Sequence, residues 1–415
     1  MMNIFFILIN DYLPLRDAKI ILFASFVKVY SPKNAIFAEI LKLMLYTSLT
    51  EREILIRTGR CQPDGGAGHT ESFSVLTPTD ALEPFEVQLE LLVDNIRKLI
   101  TAEGSPVMIR FFLSDPANQS VMLRERFDFG CPVSIIGQAP LNGTKAGAMV
   151  WCRKGAVSCR VNDRMYKVSE GGVDEYWYTG GLSDRDGSYS QTVSLLSDLS
   201  SELEAQGLTL EENCVRTWLF VQDIDVNYKG VVDGRNTVFD LHGLTPDNHF
   251  IASTGIEGRM ENHHNRVMLD AVAVSGSGIT VKYLYGESHL NRTSQYGVRF
   301  ERGTVVERSD RRYVYISGTA SIDNKGKILH EGDIVRQTGR MIENVEVLLA
   351  EAGCGFSEVA PMIVYLRDTA DYAVVNRMFD ERFPHCPRII VQAPVCRPGW
   401  LVEMECIAVF PTNGD

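Results

Sequence analysis

The chain has 415 residues, of which 45% are apolar and 23% charged, with 34 Gly and 16 Pro. This usage excludes collagenous, disordered and multi-span membrane classes, and the length predicts several domains at ~100–200 residues each. With 41 Lys+Arg against 53 Asp+Glu the formal charge is −12, a field that repels phosphate backbones and disfavours general nucleic-acid binding.

Nine Cys are scattered without a C-x-x-C or a paired Cys/His spacing, which predicts reduced thiols in a cytoplasm and no metal centre. The apolar runs Ile4–Ile9 and Ile20–Val27 are far shorter than the ~20 residues of a membrane span. No Lys or Arg precedes the first run, and Arg16 is the first basic residue, so a signal peptide is poorly supported. Residues 1–50 read as a small helical extension, or as sequence ahead of the true start.

From residue 51 onward a unit of about 120 residues recurs. The first copy, 51–155, opens on the strand-like ILIRTG at Ile54–Gly59 and continues into a helix led by Gln88 and stopped at Gly104. The strand-like Ile109–Asp115 follows. The second copy, 170–275, carries WYTGG at Trp177–Gly181, a helix led by Gln191 and ending at Gly207, and the strand Val215–Asp223. In the third, 295–412, these become YISGT at Tyr315–Thr319, a helix led by Gln337 and ending at Gly353, and the strand Met362–Asp368. Apolar residues Ile342, Val345, Leu348 and Leu349 share one face of the last of these helices, and glycine suits a helix stop. A second helix and two more strands complete each copy. The segments 156–170 and 275–295 serve as joints without a Pro- or Ser-rich linker. A single such sheet leaves an open edge and a bare face, so three copies predict mutual closure with sheets inward and helices outward.

Chemistry is expected where the copies differ. Aligning VEMECIAV (Val402–Val409) with VMLDAVAV (Val267–Val274) sets Glu403 against Met268 and Glu405 against Asp270, while AMVWC in the first copy is uncharged. Alternation sends Glu403 and Glu405 to one face, and a carboxylate inside an apolar strand is costly without a partner. Glu403 is therefore a candidate acid/base, with a solvent-facing residue as the alternative. Arg388 and Arg397 flank the same strand; a guanidinium holds a carboxylate in a two-point fork, although either could pair with a surface Glu. Cys396 lacks a recognisable His partner and reads as pocket lining rather than a nucleophile. In the second copy Arg216 alternates with Trp218, and Tyr228 and Arg235 follow on a helix. Arg216 is either a stacked structural residue or a ligand contact reaching a neighbouring cleft. His263-His264 reads as a solvated turn. The glycine clusters near Gly65 and Gly276 do not join a strand to a helix as a phosphate cradle would.

Tyr315–Gly353, followed by MIVYLRD, FP and LVEMECIAV, resembles the Rid/YjgF superfamily, also labelled endoribonuclease L-PSP. The resemblance implies a chorismate-mutase-like α+β fold and a trimer with clefts between neighbours. In the imine deaminases of that superfamily it implies an Arg that binds the substrate carboxylate and a Glu that positions water. Arg388 and Glu403, 15 residues apart, match those two positions. RTWLFVQDID (Arg216–Asp225) with Tyr228 and Gly234–Asn236, then Ile316–Asp323 and Val395–Glu405, is similar to the chorismatases, multi-repeat relatives that remove pyruvate from chorismate. That likeness assigns the acid to Glu403 and matches Cys396 and Arg397. It departs at Leu219-Phe220, where Asn-Tyr is common, and the first copy matches weakly.

The expectation is a pseudo-trimer within one chain, monomeric or a low-order homo-oligomer, needing no metal or organic cofactor. It would hydrolyse a small carboxylate-bearing enol ether, with Arg388 or Arg397 and, across a repeat boundary, Arg216 or Arg235 clamping the carboxylate. A 2-imino acid deaminase and a non-catalytic ligand-binding protein are the alternatives. Neither a membrane nor a nucleic-acid partner is expected, the acidic charge counting against the ribonuclease label.

Overall fold

The computed structural model describes residues 21–23, 43–51, 53–62 and 70–412. The run Ile4–Ile9 and the glycine cluster near Gly65 lie outside them. Three sheets follow one another along the chain, of seven, six and six strands. Each has the same inner order: a hairpin strand, a second strand, the last strand of the repeat, the middle strand, then a short strand parallel to it. In the third repeat these are Gly303–Glu307, Arg311–Ala320, Val402–Pro411, Val359–Leu366 and Arg388–Gln392.

The repeated glutamine is explained by one clamp used three times. Each Gln sits in the first turns of its repeat's long helix and is fully buried. Its side-chain oxygen accepts from the backbone where the last strand begins. Gln88 takes Lys145 N at 2.8 Å, Gln191 takes Arg266 N at 2.7 Å and Gln337 takes Leu401 N at 2.9 Å. The amide nitrogen of Gln337 donates in turn to Gly399 O at 2.8 Å. A buried amide N–H and C=O must find partners, and glutamine supplies both from one side chain. The helices themselves run Phe85–Glu103, Gly187–Glu204 and Ile334–Glu351. Gly104, Gly207 and Gly353 follow them with φ of 112°, 75° and 80°, the left-handed turn that a residue with a Cβ enters at a cost.

Each helix packs the outer face of its own sheet. Val345, Leu348 and Leu349 are buried under the third sheet, and Leu195, Leu196 and Leu199 under the second. The inner faces meet one another. Trp151 of the first repeat lies 5.6 Å from Trp177 of the second and 5.7 Å from Tyr313 of the third. Beside these rings a buried ionic cluster spans all three repeats: Arg153 reaches Glu71 at 3.0 Å and Glu175 at 2.9 Å, and Arg311 reaches Glu71 at 3.2 Å and Glu170 at 2.6 Å. The sheets face inward and the helices outward, as expected.

Three segments differ from the sequence reading. Residues 43–50, expected within an N-terminal extension, belong to a strand that lengthens the first sheet through Leu43–Glu51 pairing with Ile54–Gln62. The Tyr46 hydroxyl there donates to Val359 O of the third repeat at 2.8 Å. The joints also carry strands, Val157–Arg160 and Thr280–Leu284, because continuing each hairpin satisfies the edge backbone. Among the described residues no helix is long and apolar enough to cross a membrane.

Candidate active site

The strand Val402–Pro411 lies between two neighbours in its sheet, and its inner face meets the second repeat. Glu403 and Glu405 share that face, yet their surroundings differ. Glu405 accepts from Arg216 Nη2 at 2.7 Å and from Trp218 Nε1 at 2.8 Å, and the Thr254 hydroxyl also donates to it. The second repeat shows the same arrangement one position round, where Asp270 is paired with Arg110 of the first repeat at 2.9 Å. Glu405 is thus the structural copy of Asp270, a buried carboxylate compensated by an arginine from the preceding repeat.

Glu403 stands where the second repeat has Met268, and it lines a cavity of ≈ 520 Å³, open mouth included. Tyr228, Arg235, Ser253 and Gly255 of the second repeat form one side. Gly318, Ile322, Cys396, Arg397, Trp400 and Glu403 of the third form the other, with Phe300 and Arg302 from the loop before Gly303–Glu307. Glu403 is 5% exposed. Burial, reinforced by the charge of Glu405 and only partly offset by Arg302 and Arg216, pushes its carboxyl up to about 8. Removing a carboxylate from water disfavours its charged form, so at neutral pH Glu403 holds a proton. Burial, with a smaller effect of Glu403, pushes the Cys396 thiol up to about 12, so it is not a thiolate nucleophile.

The cavity therefore unites Glu403, Cys396, Arg397, Tyr228 and Arg235. Arg397 lies over the Trp400 ring at 4.7 Å, and Arg235 and Arg302 lie 5.8 Å and 5.4 Å from the Phe300 ring. Two arginines expected with them are elsewhere. Arg216, 1% exposed, is engaged behind the cavity by Glu405, by Thr254 at 2.5 Å and by Ser317 at 3.3 Å. Arg388, 3% exposed, pairs with Asp380 and donates to Phe383 O at 2.8 Å. Its strand is the far edge of the third sheet, two places from that of Glu403, and meets the first repeat through Arg57, 3.9 Å from Asp380. The pair Arg388 and Glu403 is not brought together.

Sequence reasoning missed Arg302, Phe300 and Trp400 as lining residues. Trp400 lies within the run Val395–Glu405, whereas Phe300 and Arg302 lie in a loop with no repeat-wide pattern. Among the described residues no group of three His, Cys, Asp or Glu is placed to hold a metal ion.

Three α+β repeats closed on one another, with a buried acid and arginines in a cleft between two of them, define an intramolecular version of a cleft-forming trimer. The endoribonuclease L-PSP family profile matches residues 303–410. Over 98 residues the chain is 35% identical to a RutC family protein of Pyrococcus abyssi, covering 23% of this chain and 77% of that protein. It is 33% identical over 97 residues to the 3-aminoacrylate deaminase RutC of Acinetobacter baylyi, with the same two coverages. A chorismatase crystal structure is similar in fold over 73% of this chain and 93% of its own, with a TM-score of 0.59 and 18% identity. The chain belongs to the Rid/YjgF superfamily, in a three-repeat, chorismatase-like form.

Proposed function

We propose that the protein hydrolyses a small carboxylate-bearing enol ether, releasing pyruvate from chorismate or an analogue. The observation that carries this reading is the buried Glu403, its carboxyl pushed up to about 8, in a cavity furnished with Arg235, Arg302 and Arg397. An enolpyruvyl ether is activated by a proton on its methylene carbon. Glu403 delivers that proton, and the carbon bearing the ether oxygen becomes an oxocarbenium centre. Water adds there and returns a proton to the Glu403 carboxylate. The resulting hemiketal breaks its bond to the ring oxygen, giving pyruvate and the alcohol, so one water is consumed and the acid is regenerated. A general acid contributes roughly 10²–10⁴-fold and works best with a pKa near the operating pH, which the environment of Glu403 supplies. The arginines hold the carboxylate in place, and Tyr228, Phe300 and Trp400 offer flat apolar surface to the remainder.

The second reading is a 2-imino or enamino acid deaminase, favoured by the likeness of residues within the third repeat to 3-aminoacrylate deaminase RutC. The distance of Arg388 from the cavity weighs against it. Purified protein given chorismate should release pyruvate, and Glu403→Gln should not. Release equal in the two proteins removes the enol-ether reading. Turnover of an imine generated in situ, without pyruvate from chorismate, replaces it with the second.

A further inference from the structure

Two cavity arginines are held from outside by two residues that lie against each other, Arg302 by Asn291 and Arg397 by Gly326. The loop between Thr280–Leu284 and Gly303–Glu307 crosses from the third repeat to the helix Ile224–Leu241 of the second, where Asn236 Nδ2 donates to Gly297 O at 3.2 Å and Arg299 Nη1 to Asn236 O at 3.2 Å. Asn291 lies in this loop, 5% exposed and not on the cavity lining. Arg302 Nη2 donates to Asn291 O at 3.1 Å and to Asn291 Oδ1 at 3.2 Å, and its Nε points at the same carbonyl at 3.4 Å. A guanidinium fixed along one edge has its remaining direction set. The other face of the Asn291 amide packs on Gly326, where an added Cβ would stand 2.9 Å from Nδ2. Gly326 O in turn accepts from Arg397 Nη1 at 3.5 Å.

We infer that Asn291 is a positioning residue for ligand binding: it aims Arg302 at the cavity and, through Gly326, holds Arg397 in the same frame, so that the two arginines grip a carboxylate ligand together. This rests on reading the cavity as a carboxylate site, but not on the reaction performed there. Asn291 touches no substrate. Its loss should therefore weaken binding and leave the proton-transfer step intact.

The test uses the full chain, with isophthalate as an unreactive dicarboxylate probe followed by titration calorimetry and pyruvate release from chorismate measured in parallel. Asn291→Ala should weaken isophthalate binding about tenfold, the loss expected for a hydrogen bond to a charged group. It should raise KM for chorismate similarly and change kcat less than about threefold. Gly326→Ala, in the hairpin Asp323–Lys327, pushes on the Asn291 amide and should weaken binding several-fold, which keeps the test open if Asn291→Ala does not fold. Parent-like binding by both Asn291→Ala and Gly326→Ala, or no isophthalate binding by the parent chain, would overturn the inference. Asn291-dependent binding without pyruvate release leaves it standing and removes the enol-ether reading. Pyruvate release with an unchanged KM in Asn291→Ala does the reverse.

Discussion

Gly318 and Glu403 face each other so closely that a Cβ built on Gly318 would stand 2.2 Å from Glu403 Oε1 and 3.0 Å from Thr254 Cγ2. The bare backbone is what leaves room for the acid, and Gly318 N is held by the Thr254 hydroxyl at 2.9 Å. Gly318→Ala should therefore displace the carboxyl. The expected outcome is a loss in kcat/KM on the order of 100-fold, as for a misplacement of about 1 Å, with the fold retained by circular dichroism.

The alkaline limb of the pH profile should report Glu403 directly. Because its carboxyl is pushed up to about 8, kcat/KM for pyruvate release should be flat near neutrality and fall about tenfold per pH unit above that value. A profile that rises through pH 8 would assign the proton to another group.

The same shift has a sign in stability. A carboxyl with a folded pKa of about 8 binds its proton more tightly folded than unfolded. Its contribution is fully present below the ordinary Glu range and is lost as pH rises through about 8. Glu403→Gln keeps the neutral shape, so its melting temperature should match the parent near pH 5 and exceed it by several degrees at pH 9. The gain corresponds to on the order of a few kcal/mol.

Arg216 compensates Glu405 at 2.7 Å across the boundary between the second and third repeats. Arg216→Met removes the nearer of that carboxylate's two cations, leaving only Arg110 at 3.9 Å, and should cost on the order of 3 kcal/mol, read from urea denaturation. It should also lift the Glu403 carboxyl further, since Arg216 is one of the charges that lowers it.

The glutamine clamp offers a test remote from the cavity. Gln337→Leu has similar volume but leaves Leu401 N and Gly399 O without their partners. A loss of roughly 1–3 kcal/mol per stranded group is expected, measured by thermal unfolding.

The fold was legible because its signals are local and recur. A buried Gln, an amphipathic helix, a stopping Gly and an apolar strand ending in Asp stand at matching places in each copy. Such features follow from backbone pairing and helix periodicity, which neighbouring residues dictate. The comparison of copies also isolated Glu403, whose counterpart is Met268, and Cys396, Arg397, Tyr228 and Arg235 from motifs of the last two copies.

What the chain order could not reveal was which charge answers which. Glu405 and Arg216 are 189 residues apart, and only the docking of one sheet on another makes the first a satisfied core carboxylate while Glu403 faces the cavity. Arg388 is close to Glu403 in sequence, but the strand order places it on an edge strand two places away, where Asp380 takes its charge. Arg302 entered through a loop without periodicity. Local propensity and repetition thus determine the elements and their face, whereas a buried charge is governed by neighbours across space, so the tertiary packing alone decides which residues share the cavity and which acid keeps its proton.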